Sequence, residues 1–264
     1  MKQKEWYVLS KINIMTLVSG GGTNLQALLE AERKGKLDPG ALALVVSDRP
    51  KAYALERARL QGIPIYVVEP DSSLPKEERR REHSDQICRI ARENGISMIV
   101  LAGYLSILAG KILKYYDNRI INLHPSLLPK YGGDGMYGER VHRAVLDAGE
   151  KESGCTVHIV DEGTDTGPIV LQRKVRVLPG DTPDALADRI HTEEHIAIVE
   201  AVALIAGRIQ LETAGKQERE KRQAELEQRE ALRLRAELEQ KEKARRSEKE
   251  IKALEQALFG QEDK

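Results

Sequence analysis

Short apolar runs recur along the first two thirds of the chain, and charged stretches of helical periodicity separate them. Ile12 to Val18 is such a run and predicts a buried strand. The turn Ser19-Gly20-Gly21-Gly22-Thr23-Asn24 follows, then a helical pattern over Leu25 to Lys34. The unit repeats: strand Ala41 to Ser47, helix Pro50 to Gln61 with Gly62 just past its end, strand Ile63 to Val68. Pro75 to Asn94 reads as a long charged helix stopped by Gly95, and Ser97 to Ala102 as the next strand. A short helix around Leu108 to Tyr115 leads to the strand Arg119 to Leu123, which His124-Pro125 breaks. Beyond a glycine-rich loop, Gly132 to Gly138, the pattern gives helix Glu139 to Ala148 and strands Cys155 to Val160 and Ile169 to Val177, the last two antiparallel. Asp181-Thr182-Pro183 starts a helix that should run to about Ala206 or Gly207. Strands alternating with helices predict an α/β fold: a mostly parallel open sheet with helices on both faces.

The pattern changes after Leu211. From Ala214 to Lys264 charges of both signs interleave without proline. Acid-to-base pairs recur at four-residue spacing: Glu218–Arg222, Glu225–Arg229, Glu237–Lys241, Glu239–Lys243, Glu242–Arg246 and Glu248–Lys252. Each contributes only about 0.2–0.5 kcal/mol, but together they favour a long charged helix. Ala231, Leu234 and Leu238 keep a three-four spacing, as do Ile251, Leu254 and Leu258, yet the two sets are out of heptad phase and Arg245 interrupts the seam. That describes a solvated helix or a weak coiled coil, with a homodimer or a protein partner as the expected use. The organisation expected is a polar leader over 1–11, a catalytic domain over 12–212 and a helical extension over 213–264.

Composition narrows the class. Among 264 residues, 42 Lys and Arg balance 42 Asp and Glu, so a globally basic nucleic-acid binder is unsupported. The 2 cysteines, Cys88 and Cys155, lie far apart and read as core thiols of a reducing compartment. The first residues lack the apolar run of a signal peptide, and no long uncharged apolar stretch occurs. A cytoplasmic protein acting on small molecules is the expectation, with neither nucleic acid nor membrane as partner.

Three stretches carry candidate chemistry. The glycine turn after the first strand presents backbone N–H groups and a helix N-terminus to an anion, and Thr23 or Asn24 can cap that helix. It is not a Walker loop, because no Lys-Ser/Thr pair follows, and it lacks the third glycine of a dinucleotide fingerprint. A turn that merely reverses the chain is the plainer reading. In Asn122-Leu123-His124, residues two apart share one side of a strand, so a donor and a titratable imidazole project together from its carboxyl end. A buried Asn with a satisfied His is the plainer reading there. Finally, the strand ending at Val160 empties into Asp161-Glu162-Gly163-Thr164-Asp165-Thr166-Gly167-Pro168. An aspartate in that loop could orient and charge a nearby imidazole; a solvated acidic turn is the alternative.

Together, Ser19 to Leu25, Asn122-Leu-His-Pro-Ser-Leu-Leu-Pro-Lys130 and Asp161 to Pro168 resemble the phosphoribosylglycinamide formyltransferases, folate-dependent enzymes of purine synthesis, over about residues 12 to 211. The resemblance implies a Rossmann-like formyltransferase fold. It implies transfer of a formyl group from 10-formyltetrahydrofolate, as co-substrate, to the amine of 5-phosphoribosylglycinamide, without a metal. Asn122, His124 and Asp165 match the catalytic set. Gly22, Thr23 and Asn24 would hold the substrate phosphate, and His191, Thr192, Glu193 and Glu194 the rest of the nucleotide. Leu105, Ser106, Ile107 and Leu108, with Asn122 and Asp161, Glu162, Gly163, Thr164 and Asp165, would bind the folate, helped by Arg81 from the run Arg79-Arg80-Arg81. Ser106 stands where relatives often carry an Arg, and the loop Gly132 to Gly138 is longer than in some of them. A formyltetrahydrofolate deformylase would carry an extra domain ahead of the first strand, where 11 residues stand here. An inactive formyltransferase-like scaffold displaying the charged helix is the reading from another class, and the joint presence of Asn122, His124 and Asp165 opposes it.

Overall fold

The computed structural model describes residues 10–259. Seven strands form one sheet: β1 (Ile12–Val18), β2 (Gly40–Ser47), β3 (Ile65–Val67), β4 (Met98–Leu101), β5 (Ile120–His124), β6 (Glu152–Ile159) and β7 (Ile169–Arg176). Their order is β3-β2-β1-β4-β5-β6-β7. The first five run parallel, and β5–β6 and β6–β7 pair antiparallel. Six helices connect and cover them: α1 (Thr23–Arg33), α2 (Tyr53–Leu60), α3 (Lys76–Glu93), α4 (Lys111–Tyr115), α5 (Glu139–Asp147) and α6 (Pro183–Phe259).

The apolar runs are continuous because both faces of the parallel strands are covered. In β1, Ile12, Ile14 and Val18 belong to a core shared with Leu25 and Leu28 of α1 and Ile198 and Val202 of α6. Met15 and Leu17 point the other way, into a core with Ile87 of α3 and Ile112 of α4. In β5, Ile121 and Leu123 enter the first core and Ile120 the second. Each such side chain, fully buried, contributes about 1.5–3 kcal/mol, so β5 is held in place from both sides.

β6 begins at Glu152 rather than Cys155, β3 is shorter than expected, and three helix boundaries depart further from the sequence reading. Helix α2 begins at Tyr53 rather than Pro50, because Ser47 Oγ accepts the Arg49 N–H at 3.1 Å and the chain turns there instead. Helix α4 begins at Lys111 rather than Leu108, since Gly110 adopts φ +76°. Helix α6 does not stop at Ala206 or Gly207. A helical glycine costs only about 1 kcal/mol relative to alanine, and no proline follows to end the element.

The chain divides into two compact units, one up to Leu211 and one from Glu212. In the second, Leu226, Leu234, Leu238, Ile251 and Leu254 are all more than half exposed. Its ion pairs include Lys216–Glu220, Arg233–Glu237 and Arg235–Glu239. Glu237 and Glu239 therefore reach back one turn, rather than forward to Lys241 and Lys243 as the spacing suggested; a glutamate flanked by cations on both sides can hold one of them. The Glu248 and Leu258 side chains lie outside the described residues. No described helix is long and apolar enough to cross a membrane.

Candidate active site

Strand order reverses between β1 and β4, and at such a switch point the loops leaving the two strands diverge and open a crevice. A cavity of about 510 Å³ lies there, a size suited to a small-molecule site. The loop after β1 supplies Gly20 to Asn24, the segment after β4 supplies Leu101 to Leu108, and the end of β5 supplies Asn122 to Pro125. Gly163 to Asp165, His191 and Glu194 complete it from the expected set. The two loops are laced together: Leu105 N–H donates to Ser19 Oγ at 2.8 Å, and Ser106 Oγ–H donates to the buried Asp48 at 2.7 Å.

The glycine turn is shaped by contact as much as by φ. Gly22 sits at φ +72°, and a Cβ there would lie 2.6 Å from Ala54 Cβ. Ala54 N–H donates to Gly20 O and Arg57 Nε–H to Gly21 O, which clamp the turn onto α2. Gly22 itself is the N-cap of α1, with no side-chain cap, so neither Thr23 nor Asn24 caps the helix as expected. The first-turn N–H groups are thereby left to point at the cavity. Asn24 is instead turned towards Glu194, donating from Nδ2 to Oε2 at 3.4 Å. Glu194 is 5% exposed; burial pushes its carboxyl above the ordinary range, while His191 and the Asn24 bond draw it back.

At the other end, the antiparallel register sets Asn122 opposite His158. His158 Nδ1–H donates to the Ile159 carbonyl at 2.8 Å, so in the neutral ring Nε2 is free to accept an Asn122 N–H at 3.1 Å. Asp165 Oδ1 lies 3.4 Å from Asn122 Nδ2 and 3.5 Å from His158 Nε2. The amide nitrogen of Asn122 is thus held between two acceptors, the shorter bond going to His158 and the longer to Asp165, which orients it. Asp165 Oδ2 lies 3.4 Å from His124 Nδ1 and accepts the Gly133 N–H at 3.0 Å. Asp165 holds φ +59°, a conformation rare outside glycine but most tolerated by Asp and Asn. Burial alone would raise its carboxyl; the His158 and His124 rings and the Gly133 N–H outweigh that and hold it below its usual value.

His124 is buried, with Nε2–H donated to the Tyr131 carbonyl at 2.8 Å. Burial pushes its imidazole down; Asp165 and the Tyr131 carbonyl pull it up without cancelling the shift. Asp165 at 3.4 Å thus favours the charged ring, and desolvation of the ring is the larger, opposing effect.

Several expected residues do not line the cavity. Thr192 donates to Asp188 O, and Glu193 pairs with Arg173 at 3.1 Å. Asp161 accepts from Gly163 N–H and Thr166 Oγ–H, which closes its own loop, and Glu162 also stands outside the lining. Arg81 is exposed, and Arg80 pairs with Glu77. Two lining histidines were missed in the sequence, His142 and His158. His158 lay in a predicted strand, but only the long-range β5–β6 register brings it to Asn122. Met136 and Tyr137 of the glycine-rich loop also line the cavity.

A parallel sheet with a helix terminus at one end of its crevice, and an oriented amide, imidazole and carboxylate at the other, makes a class of site suited to group transfer. The comparisons name the class. A family model described as formyl transferase matches residues 12–202, and the chain belongs to that family. It is 38% identical over 184 residues to phosphoribosylglycinamide formyltransferase of Escherichia coli (strain K12), covering 70% of this chain and 82% of the relative. It is 41% identical over 193 residues to the trifunctional purine biosynthetic protein adenosine-3 of Drosophila melanogaster, covering 73% of this chain and 14% of that protein. Against the chloroplastic phosphoribosylglycinamide formyltransferase of Arabidopsis thaliana it is 39% identical and spans 64% of the relative. The crystal structure of glycinamide ribonucleotide transformylase 1 from Symbiobacterium toebii matches with TM-score 0.68 and 42% identity, over 75% of this chain and 88% of that one.

Proposed function

We propose that the protein transfers the formyl group of 10-formyltetrahydrofolate to the amine of 5-phosphoribosylglycinamide, directly, through a tetrahedral intermediate. The observation that carries the reading is the Asn122–His124–Asp165 cluster in one cavity with the first turn of α1. The unpaired N–H groups of that turn suit a phosphate. Glu194, tied to Asn24, suits the ribose and glycinamide portion. Leu105 to Leu108 and the Gly163 to Asp165 loop suit the pterin.

As the amine attacks, negative charge grows on the formyl oxygen. The Asn122 N–H that exchanges its long 3.4 Å bond to Asp165 for the formyl oxygen supports it, and one such donor is worth about 2.7–4 kcal/mol. The same charge favours the protonated form of the nearby His124, offsetting its burial, so the ring takes a proton from solvent and becomes an acid as the reaction proceeds. For this, Nε2–H must leave the Tyr131 carbonyl. A deformylase from Pseudomonas syringae pv. tomato shares the fold at 24% identity, which carries no activity over.

The buried Cys88 and Cys155 thiols support a reducing, cytoplasmic setting. The exposed leucines of the second unit support pairing with another copy or a partner protein through that helix. The discriminating assay follows loss of 10-formyltetrahydrofolate with and without the nucleotide. Loss that requires the nucleotide is expected; loss without it makes the protein a deformylase, and no loss makes it a scaffold.

A further inference from the structure

Four histidines line the cavity: His124, His142, His158 and His191. Three are engaged. His124 faces Asp165 and the Tyr131 carbonyl, His158 faces Asn122 and the Ile159 carbonyl, and His191 Nε2 lies 3.9 Å from Glu194. His142 is different. It is 3% exposed on α5, between the buried Val141 and Val145, so its ring is fixed by a rigid element. Among the described residues neither of its ring nitrogens has a hydrogen-bond partner, and Nδ1 is fully buried. A buried imidazole with neither nitrogen committed is unusual, since buried polar groups are nearly always satisfied; Asn24 Oδ1 is the other unpartnered buried atom of the cavity lining.

The proposed reaction leaves one proton unassigned. When the amine nitrogen bonds to the formyl carbon it becomes positively charged. In that state it is a better leaving group than N10 of the folate, and the intermediate would collapse backwards. The nitrogen must lose a proton, N10 must gain one, and then the C–N10 bond breaks as the carbonyl re-forms. The net proton count is zero, but two stations are needed, one acid and one base. His124, beside Asp165, suits the acid.

We propose, resting on the formyl-transfer reading, that His142 is the base that takes the proton from the attacking amine nitrogen. His124 takes the proton it gives to N10 from solvent, and His142 releases the amine's proton to solvent, so both rings end as they began and the net proton count is zero. The groups that face His142 fit this use. Burial chiefly, with His191 of α6 and His124 of β5, favours the neutral ring, and Asp184 of α6 opposes them weakly; the outcome is a ring held below its ordinary pKa and ready to accept.

The test is the pH dependence of kcat, measured with saturating nucleotide and 10-formyltetrahydrofolate. In the wild type, kcat should fall on the acid side with an apparent pKa below the ordinary imidazole value of about 6.5. His142→Gln, checked for folding by its melting temperature, should lose on the order of 10²–10⁴-fold in kcat. It should keep its nucleotide KM, and the acid limb should vanish. Glu194→Gln should raise the nucleotide KM and keep the limb. Full activity in His142→Gln, or a loss equal at every pH with the limb retained, overturns the assignment. So does a wild-type profile with no acid limb, a result that needs no variant to fold. Absence of nucleotide-dependent transfer in the wild type instead overturns the formyl-transfer reading, and the base role with it.

Discussion

Two residues of the cavity work under constraint, and each makes a prediction. Gly22 meets two demands at once, φ +72° and a lack of room, since an added Cβ would lie 2.6 Å from Ala54 Cβ. Gly22→Ala should cost about 1–3 kcal/mol of stability through backbone strain and raise the nucleotide KM, because the turn that aims the α1 N–H groups must shift. Thermal melting and initial rates across nucleotide concentration measure both; an unchanged KM would remove the turn from substrate binding. Asp165 pulls the His124 pKa upward against burial. Asp165→Asn should move the basic limb of the kcat profile to lower pH, since the ring loses its proton more easily once the carboxylate is gone. A profile that keeps its position would make Asp165 a structural residue. His124 and Asn122 were legible from the sequence because strand alternation and a proline stop are local signals. His158 and His142 were not, since their place depends on strand register and on where α5 lies against the sheet.

Among elements, strands were more legible than helix ends. Largely apolar runs located β1, β2, β4 and β5 to within two residues, because a strand covered on both faces leaves few polar positions to blur the pattern. The starts of α2 and α4 were displaced by turn chemistry at Ser47 and Gly110. The loop from Gly132 to Gly138 shows the limit: its glycines marked it as irregular, but nothing local revealed that Gly133 N–H would rest on Asp165. The charged helix from Glu212 onward makes an element-scale prediction. If its exposed leucines pair with another copy, sedimentation should show a mass that rises with concentration and a monomer once 214–264 are deleted. A mass independent of concentration in both would rule out self-pairing. The truncated protein should keep its transfer rate, because every residue lining the cavity precedes Leu211.

At the scale of the whole molecule, the parallel sheet of one compact unit explains both stability and site, since the buried strands that hold the fold also end at the cavity. The buried histidines set its response to acid. Burial lowers the pKa of His83, His124, His142 and His195 below the ordinary value. The unfolded chain, whose imidazoles titrate near about 6.5, therefore binds protons more readily than the folded one as pH falls below that value. Their contribution is complete above that pH and is lost on descent through the folded pKa values. The melting temperature should drop between pH 7.5 and pH 5, well above the range where Asp181, held down to about 2 by Arg189, would protonate. A melting temperature flat across that interval would contradict the assignment of neutral buried rings.

The most direct measurement of the central claim follows the formyl carbon itself. The protein is incubated with 10-formyltetrahydrofolate labelled in the formyl group and with 5-phosphoribosylglycinamide, and the products are separated. The label should appear on the nucleotide amine in a one-to-one ratio with tetrahydrofolate, and His124→Ala should abolish most of it while still binding the nucleotide. Label recovered as free formate, or retained on the folate, would contradict the account.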